Sequence, residues 1–549
     1  MGRVQRFVAR ANARLSVQLA ATILASSSLL SALLGFLRDR LLNTYYYDTL
    51  PNYADAYTVA FIIPDFMFFI LVSGALSVTF IPVFNDRMQS GNKKSAWELS
   101  TSLVNLLAIV TLIASILIII FADPLVRYVV GPGLDEVGRG LAVSMMRVIA
   151  INPFLFAIAS VMASIQQAIG RFTFFALSPV IYNIGIIIGL LFFTGGINIF
   201  GVQLFEGGIM GVALGVVLGS IMQLFISAIG LIGLGFDYSF KIHWRNKGFR
   251  QVLRLLPARS LDQGIDYFNG IVETNLASRM VYGTVRAYNQ ATTLHMMPVT
   301  LIGVAISTAA FPQMTERLSQ GRPDLFRNEL QSVLRVIIWL ALPIAAIVFF
   351  AQDYLVSFLF TKGAPVVATT LGILSIAIVF RSIYHIASRS FYAQKDTKTP
   401  LYISLFTISL NIALAIIFTM SLNMGIFGLA WAQSIVAVIE VAILFVIMSY
   451  RIPHLFSKEF VRATGRMVLS TLFMSVVTLF ALSFFGPVVA DEGFYVLFPK
   501  FIAIVLVSFV AYLLVGTKLE LVEAHQVWEK IRDGVKRIAF GQIRPTPKE

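Results

Sequence analysis

Hydrophobic side chains fall along this chain in runs of about twenty, broken by short polar stretches, and without the period-two alternation of exposed strands. The runs predict spans near residues 17–43, 54–84, 99–122, 141–169, 172–195, 208–235, 252–279, 285–315, 328–350, 366–394, 397–420, 424–450, 465–486 and 495–516. Each is long enough to cross a bilayer, so the expected architecture is an all-α polytopic membrane protein with about fourteen transmembrane helices.

Basic residues punctuate the runs on alternate sides. Arg3, Arg6, Arg10 and Arg14 precede the first span, and no small-residue cleavage site follows them, which predicts a retained first helix rather than a signal peptide. Arg87, Lys93 and Lys94 follow the second span, Lys241, Arg245, Lys247 and Arg250 the sixth, and Arg317, Arg322 and Arg327 the eighth. Lys395 and Lys398 follow the tenth, then Arg451, Lys458, Arg462 and Arg466 the twelfth. Loops 44–53, 196–207 and 421–424 hold no Lys or Arg. The positive-inside rule then predicts that both termini are cytoplasmic.

Composition agrees. Of 549 residues, 58% are hydrophobic and only 13% charged, against about 25% in a soluble protein. A soluble catalyst, a disordered chain and a nucleic-acid binder are excluded, even with a net charge of +14. That charge reads as a topology signal facing anionic headgroups of the membrane lipids. The absence of cysteine removes disulfides and thiolate chemistry, and five histidines without paired spacing argue against a metal. In the tail, Trp528, Ile531, Val535 and Ile538 recur at helical spacing among Lys530, Arg532, Lys536 and Arg537, as in a helix lying on a membrane surface.

The chain also repeats itself. Gln166-Gln167, Arg171-Phe172, Pro179 and Asn183 lead into Gly208-Ile209-Met210-Gly211-Val212-Ala213. Gln394-Lys395, Thr399-Pro400 and Asn411 lead into Gly425-Ile426-Phe427-Gly428-Leu429-Ala430. Pro64 to Pro82 finds a weaker echo in Pro298 to Pro312. Two parallel, related lobes are a transporter plan. The expected division is a basic N-terminus at 1–16, an N-lobe at 17–236, a C-lobe at 251–450, two C-terminal helices at 465–516 and a basic tail at 517–549.

Charges within apolar spans are costly, at about 2.5–3.5 kcal/mol each on insertion scales. Arg38-Asp39-Arg40 lies near the outer end of helix one, Asp55 and Asp65 in helix two, and Arg147 in helix four. Arg259, Asp262, Asp266 and Glu273 form a stripe on helix seven, and Arg381, His385 and Arg389 another on helix ten, with Glu440 alone in helix twelve. They are read either as a hydrated cationic site for an anionic headgroup, since guanidinium suits phosphate oxygens, or as pairs that hold helices together. The carboxylates lack the histidine or metal neighbours that phosphate hydrolysis needs, so an enzyme is not expected.

Several motifs together resemble the MurJ/MviN lipid II flippases. They are Gly35-Phe36-Leu37-Arg38-Asp39, Asp55-Ala56-Tyr57 through Pro64, Gly74-Ala75-Leu76 with Phe80-Ile81-Pro82, and Gly170-Arg171-Phe172. Pro298 to Phe311-Pro312 and Phe391-Tyr392-Ala393-Gln394-Lys395-Asp396-Thr397-Lys398-Thr399-Pro400 complete the series, in consistent order from about residue 20 to 450. The resemblance implies a fold of the multidrug/oligosaccharidyl-lipid/polysaccharide exporter superfamily. It also implies outward flipping of an undecaprenyl-pyrophosphate-linked peptidoglycan precursor by alternating access, in the bacterial cytoplasmic membrane. The headgroup would meet cavity cations, the lipid tail would follow helices thirteen and fourteen, and a membrane potential or ion gradient would drive transport without ATP. Cell-wall synthesis enzymes are implied as possible partners.

Arg38, with Asp39 beside it, retains a cation that the resemblance implies for substrate binding, and Asp55, Arg259 and Arg147 are further candidates from their place within the spans. Glu273, Asn411 and Asp266 are candidates for coupling to Na+ or H+, with no other cofactor. The sequence departs from the family where Ala32, Phe68 and Thr293 stand at positions expected to be cationic. Those departures keep open a flippase for another lipid-linked saccharide and, from a different class, a non-transporting cell-wall scaffold.

Overall fold

The computed structural model describes residues 17–540 apart from 74–75, 200–201, 361–363 and 489–492; the side chains of 17–18, 20–21, 73, 77–78, 197, 199, 202, 204, 257–266, 364 and 533–540 are also outside the described residues. Twelve helices among the described residues are long and apolar enough to cross a membrane. They are α2 (Pro51–Val72), α3 (Lys93–Val130), α4 (Glu136–Ile169), α5 (Thr173–Phe193), α6 (Met210–Ile229), α8 (Thr284–Ser319), α9 (Pro323–Phe350), α10 (Pro365–Ala393), α11 (Lys398–Ser421), α12 (Ile426–Arg451), α13 (Lys458–Phe485) and α14 (Phe494–Lys518). Two more long helices, α1 (Val17–Leu42) and α7 (Lys247–Ser278), stand where the first and seventh spans were expected. A final helix, α15 (Val522–Phe540), follows α14.

Among the described residues the only strands are β1 (Ile197–Ile199) and β2 (Val202–Phe205), an antiparallel hairpin in the loop after α5. Side-chain caps mark several helix starts. Asn92 accepts from Ser95 N at 3.1 Å, Asp135 from Gly138 N at 3.0 Å, Asn246 from Phe249 N at 3.1 Å and Ser457 from Phe460 N at 3.1 Å. Each satisfies an amide that the first helical turn leaves without a partner.

The chain divides into two compact units, one ending at Arg286 and the other beginning at Ala287. Helix α7 packs against α2 and α3 in the first unit, and its Phe249 and Val252 join Phe80, Phe84, Leu99 and Leu103 in a buried core. In the second unit α13 and α14 pack on each other and on α9. Tyr512 on α14 donates to the Trp339 carbonyl at 3.0 Å, and Thr478 on α13 to Ser508 at 2.8 Å.

The internal repeat has a physical signature in each unit. Helix α5 ends in a π-helical segment, Gly189–Phe193, and a Cβ on Gly211 of α6 would come within 2.6 Å of the Phe193 backbone. Helix α11 ends likewise at Ile417–Ser421, and a Cβ on Gly428 of α12 would come within 2.9 Å of Phe418. The matched glycines let backbones approach at equivalent places, a common device of membrane helices. Prolines also leave marks: Pro124 and Pro298 each precede a π-helical segment, Leu125–Val130 and Val299–Val304, where a missing amide has loosened the ladder.

Candidate functional site

Helix α1 brings Arg38 and Asp39 into the first unit's charged cluster. Arg38 donates to Asp39 Oδ1 through Nε at 3.3 Å and Nη2 at 3.1 Å, and through Nη1 to Asn183 Oδ1 on α5 at 3.2 Å. Asn183 is itself held, since its amide donates to the carbonyl and hydroxyl oxygens of Ser31 at 3.3 and 3.1 Å. Tyr57, Tyr182 and Asp65 lie close enough to interact electrostatically with Arg38. All three guanidinium nitrogens are engaged, yet a quarter of the side chain is exposed, and the second N–H of each terminal nitrogen can be offered to an anion.

Asp39 also receives Arg286. The Nη2 of that residue donates to the same Oδ1 at 3.0 Å, and its Nε to Asn43 Oδ1 at 3.3 Å. The Arg286 side chain is only 4% exposed, against 25% for Arg38. Sequence reasoning missed Arg286 because it opens a long apolar span and looks like a flanking charge. One signal was present: an arginine on the side expected to be outer breaks the positive-inside pattern.

Asp55 has a different place from the one expected beside the headgroup. Its carboxylate accepts the main-chain amides of Gly283 at 2.6 Å and Arg286 at 2.8 Å, and it is almost fully buried. It caps the start of α8 from α2, satisfying amides that otherwise lack partners. Gly283 adopts a φ of 91°, a conformation other residues rarely take, which turns the chain into that cap.

Arg147 is not gathered into this cluster. It is exposed on α4 and donates through Nε to the Ile119 carbonyl of α3 at 3.3 Å. The side chains of Arg259, Asp262 and Asp266 lie outside the described residues. Glu273, buried on α7, accepts from Asn269 at 2.9 Å in the first unit, whereas Asn411 is buried on α11 in the second. Among the described residues no three His, Asp or Glu side chains come together as a metal site. Of the departures, Phe68 packs edge-on against Phe156, their ring centroids 5.6 Å apart, and Thr293 donates to its own helix at Asn289.

In the second unit the helix-ten stripe is paired. Arg381 donates to Glu440 Oε2 at 3.1 Å, and Glu440 Oε1 accepts from Ser404 at 3.2 Å and Thr407 at 3.1 Å. Glu440, alone on its helix in the sequence, is therefore neutralised from α10 and α11. Arg389 does not merely reach toward the inner face: it donates to Ser307, and to Thr308 at 2.8 Å, on α8. The segment 391–400 forms a clasp between helices. Asp396 accepts the amides of Lys398 and Thr399 at 3.0 Å and pairs with Arg451 of α12 at 2.7 Å, while the Arg451 guanidinium lies over the Phe391 ring at 4.9 Å.

Comparison with known proteins places these features. A family model described as lipid II flippase MurJ matches residues 51–498. A probable lipid II flippase MurJ of Borreliella burgdorferi is 24% identical over 511 residues, covering 89% of this chain and 95% of that protein. The solved structure of a lipid II flippase MurJ in an inward closed conformation superposes with a TM-score of 0.72 at 23% identity, covering 90% of this chain and 98% of the other. A multidrug resistance MATE family transporter of the MOP superfamily, inward-facing, gives 0.64 at 17% identity, covering 79% and 98%. These structural likenesses show the fold that the chain shares with both transporters.

Proposed function

This chain belongs to the MurJ family of lipid II flippases, and from that premise we propose that it carries lipid II from the inner to the outer leaflet of the bacterial cytoplasmic membrane by alternating access. Arg38 carries the proposal: it is a cation at the end of an apolar helix, oriented by Asp39 and Asn183, with a quarter of its side chain exposed. In this reading it takes the pyrophosphate of the undecaprenyl carrier, with Arg259 on α7 as a second cation. The lipid tail follows α13 and α14, both termini lie in the cytoplasm, and an ion gradient of Na+ or H+, not ATP, supplies the driving force. Glu273, Asp266 and Asn411 are the proposed coupling residues.

The experiment is rescue of a bacterium depleted of its own lipid II flippase. The intact chain is expected to restore growth, and Arg38→Ala at equal membrane abundance to allow lysis. Equal rescue by both removes Arg38 from the mechanism. A second reading, a flippase for another lipid-linked saccharide, is favoured by Ala32, Phe68 and Thr293 at the places of family cations. It predicts no rescue by a well-inserted chain and binding of a different undecaprenyl-linked saccharide.

A further inference from the structure

Arg286 is the more buried of the two arginines on Asp39, and it is fixed at both ends. Its main-chain amide is held by Asp55, and its guanidinium by Asn43 and Asp39. It therefore has no freedom to follow a substrate. Arg38 is more exposed and also shares Asp39, and all of these arginine contacts converge on one oxygen, Oδ1. We propose that Arg286 is a positioning residue that holds the Asp39 carboxylate as a shared partner, so that Arg38 is left incompletely neutralised and able to bind a polyanion.

A single carboxylate that serves two guanidinium groups cancels at most one of them. Without Arg286, Asp39 has Arg38 as its only cationic partner among the contacts described, and the surroundings of Arg38 become one unit more negative. Asp65 lies close enough to Arg38 to interact with it electrostatically, and Asp55 is occupied by the main-chain amides of Gly283 and Arg286. The positive charge of Arg286 on the shared Asp39 carboxylate therefore favours a pyrophosphate arriving at Arg38. This inference rests on the reading of Arg38 as the headgroup cation.

It is tested by charge balance in the purified full-length chain, with labelled lipid II and undecaprenyl pyrophosphate as the two probes. Arg286→Gln is expected to weaken binding of both probes at least about tenfold. Arg286→Lys, which keeps the charge, is expected to stay within about threefold of the parent. In an Asp39→Asn background the Arg286→Gln change is expected to cost less than about threefold, because the carboxylate that Arg286 restrains is gone. Thermal unfolding of each variant separates a loss of binding from a loss of fold: an equal loss of binding in both backgrounds overturns the proposal, as does parent-like binding by Arg286→Gln. If Arg286→Gln alone does not fold, a tenfold loss in Arg286→Lys, or between Asp39→Asn and the double variant, overturns it equally. If the parent binds neither probe, the pyrophosphate reading itself falls; if the parent binds and the double-variant comparison shows no relief, only the role of Arg286 falls.

Discussion

At the scale of single residues, what a charge does inside this protein depends on who shares it. Asp39 and Asp55 both sit near the ends of apolar helices, yet one serves two guanidinium groups and the other caps a helix. Sequence spacing found both residues, but it could not separate those roles, because the partner Arg286 lies more than two hundred residues away. Glu440 teaches the same lesson, since Arg381, Ser404 and Thr407 converge on it only after three helices pack. Asp396 offers a residue-scale test in the loop between α10 and α11. Burial opposes its charge, but hydrogen bonds from Thr399 and the Arg451 guanidinium outweigh that and hold its carboxyl down at about 2. Its folded pKa lies below the ordinary carboxylate value, so its contribution is complete above about pH 4 and is lost as the pH falls toward 2. Asp396→Ala is expected to destabilise the protein by about 1 kcal/mol at neutral pH, the scale of a lost helix cap. Thermal unfolding in detergent should show that difference shrinking between pH 4 and 2; a difference independent of pH would contradict the account.

At the scale of helices, hydropathy made most elements legible because crossing a bilayer is a local requirement, met by each run on its own. Helix α7 is the exception that explains the rule. Its charged stripe dilutes the apolar signal, yet it forms 32 residues of continuous helix because its apolar start, Phe249 and Val252, is buried in the first unit's core. Close approach is the other property of elements that a hydrophobic pattern hides. Helices α5 and α6 cross where a Cβ on Gly215 would come within 2.6 Å of the Gly189 Cα, so the contact is backbone against backbone. Gly215→Leu is expected to force the pair apart and cost about 2–4 kcal/mol. Gly140→Leu, at an exposed position on α4 with open space around it, is expected to leave the unfolding midpoint within about two degrees of the parent. Equal midpoints for the two variants would show that the crossing tolerates separation.

For the molecule as a whole, glycines that the repeat matches, Gly211 and Gly428, meet the π-helical ends of α5 and α11 within their own units. That much was legible because the repeat preserves small residues at contact points. The set of cations was not, since Ala32, Phe68 and Thr293 remove the expected ones and Arg286 enters from a position that composition marks as a flank. The central claim is that Arg38 carries the headgroup of a lipid-linked pyrophosphate across the membrane. The most direct measurement is the rate at which labelled lipid II reaches the opposite leaflet of vesicles containing the purified protein. The account predicts transport above protein-free vesicles by the intact chain, and a rate at least about tenfold lower for Arg38→Ala at equal reconstitution. A rate no greater than that of protein-free vesicles, or an Arg38→Ala variant as fast as its parent, would contradict it.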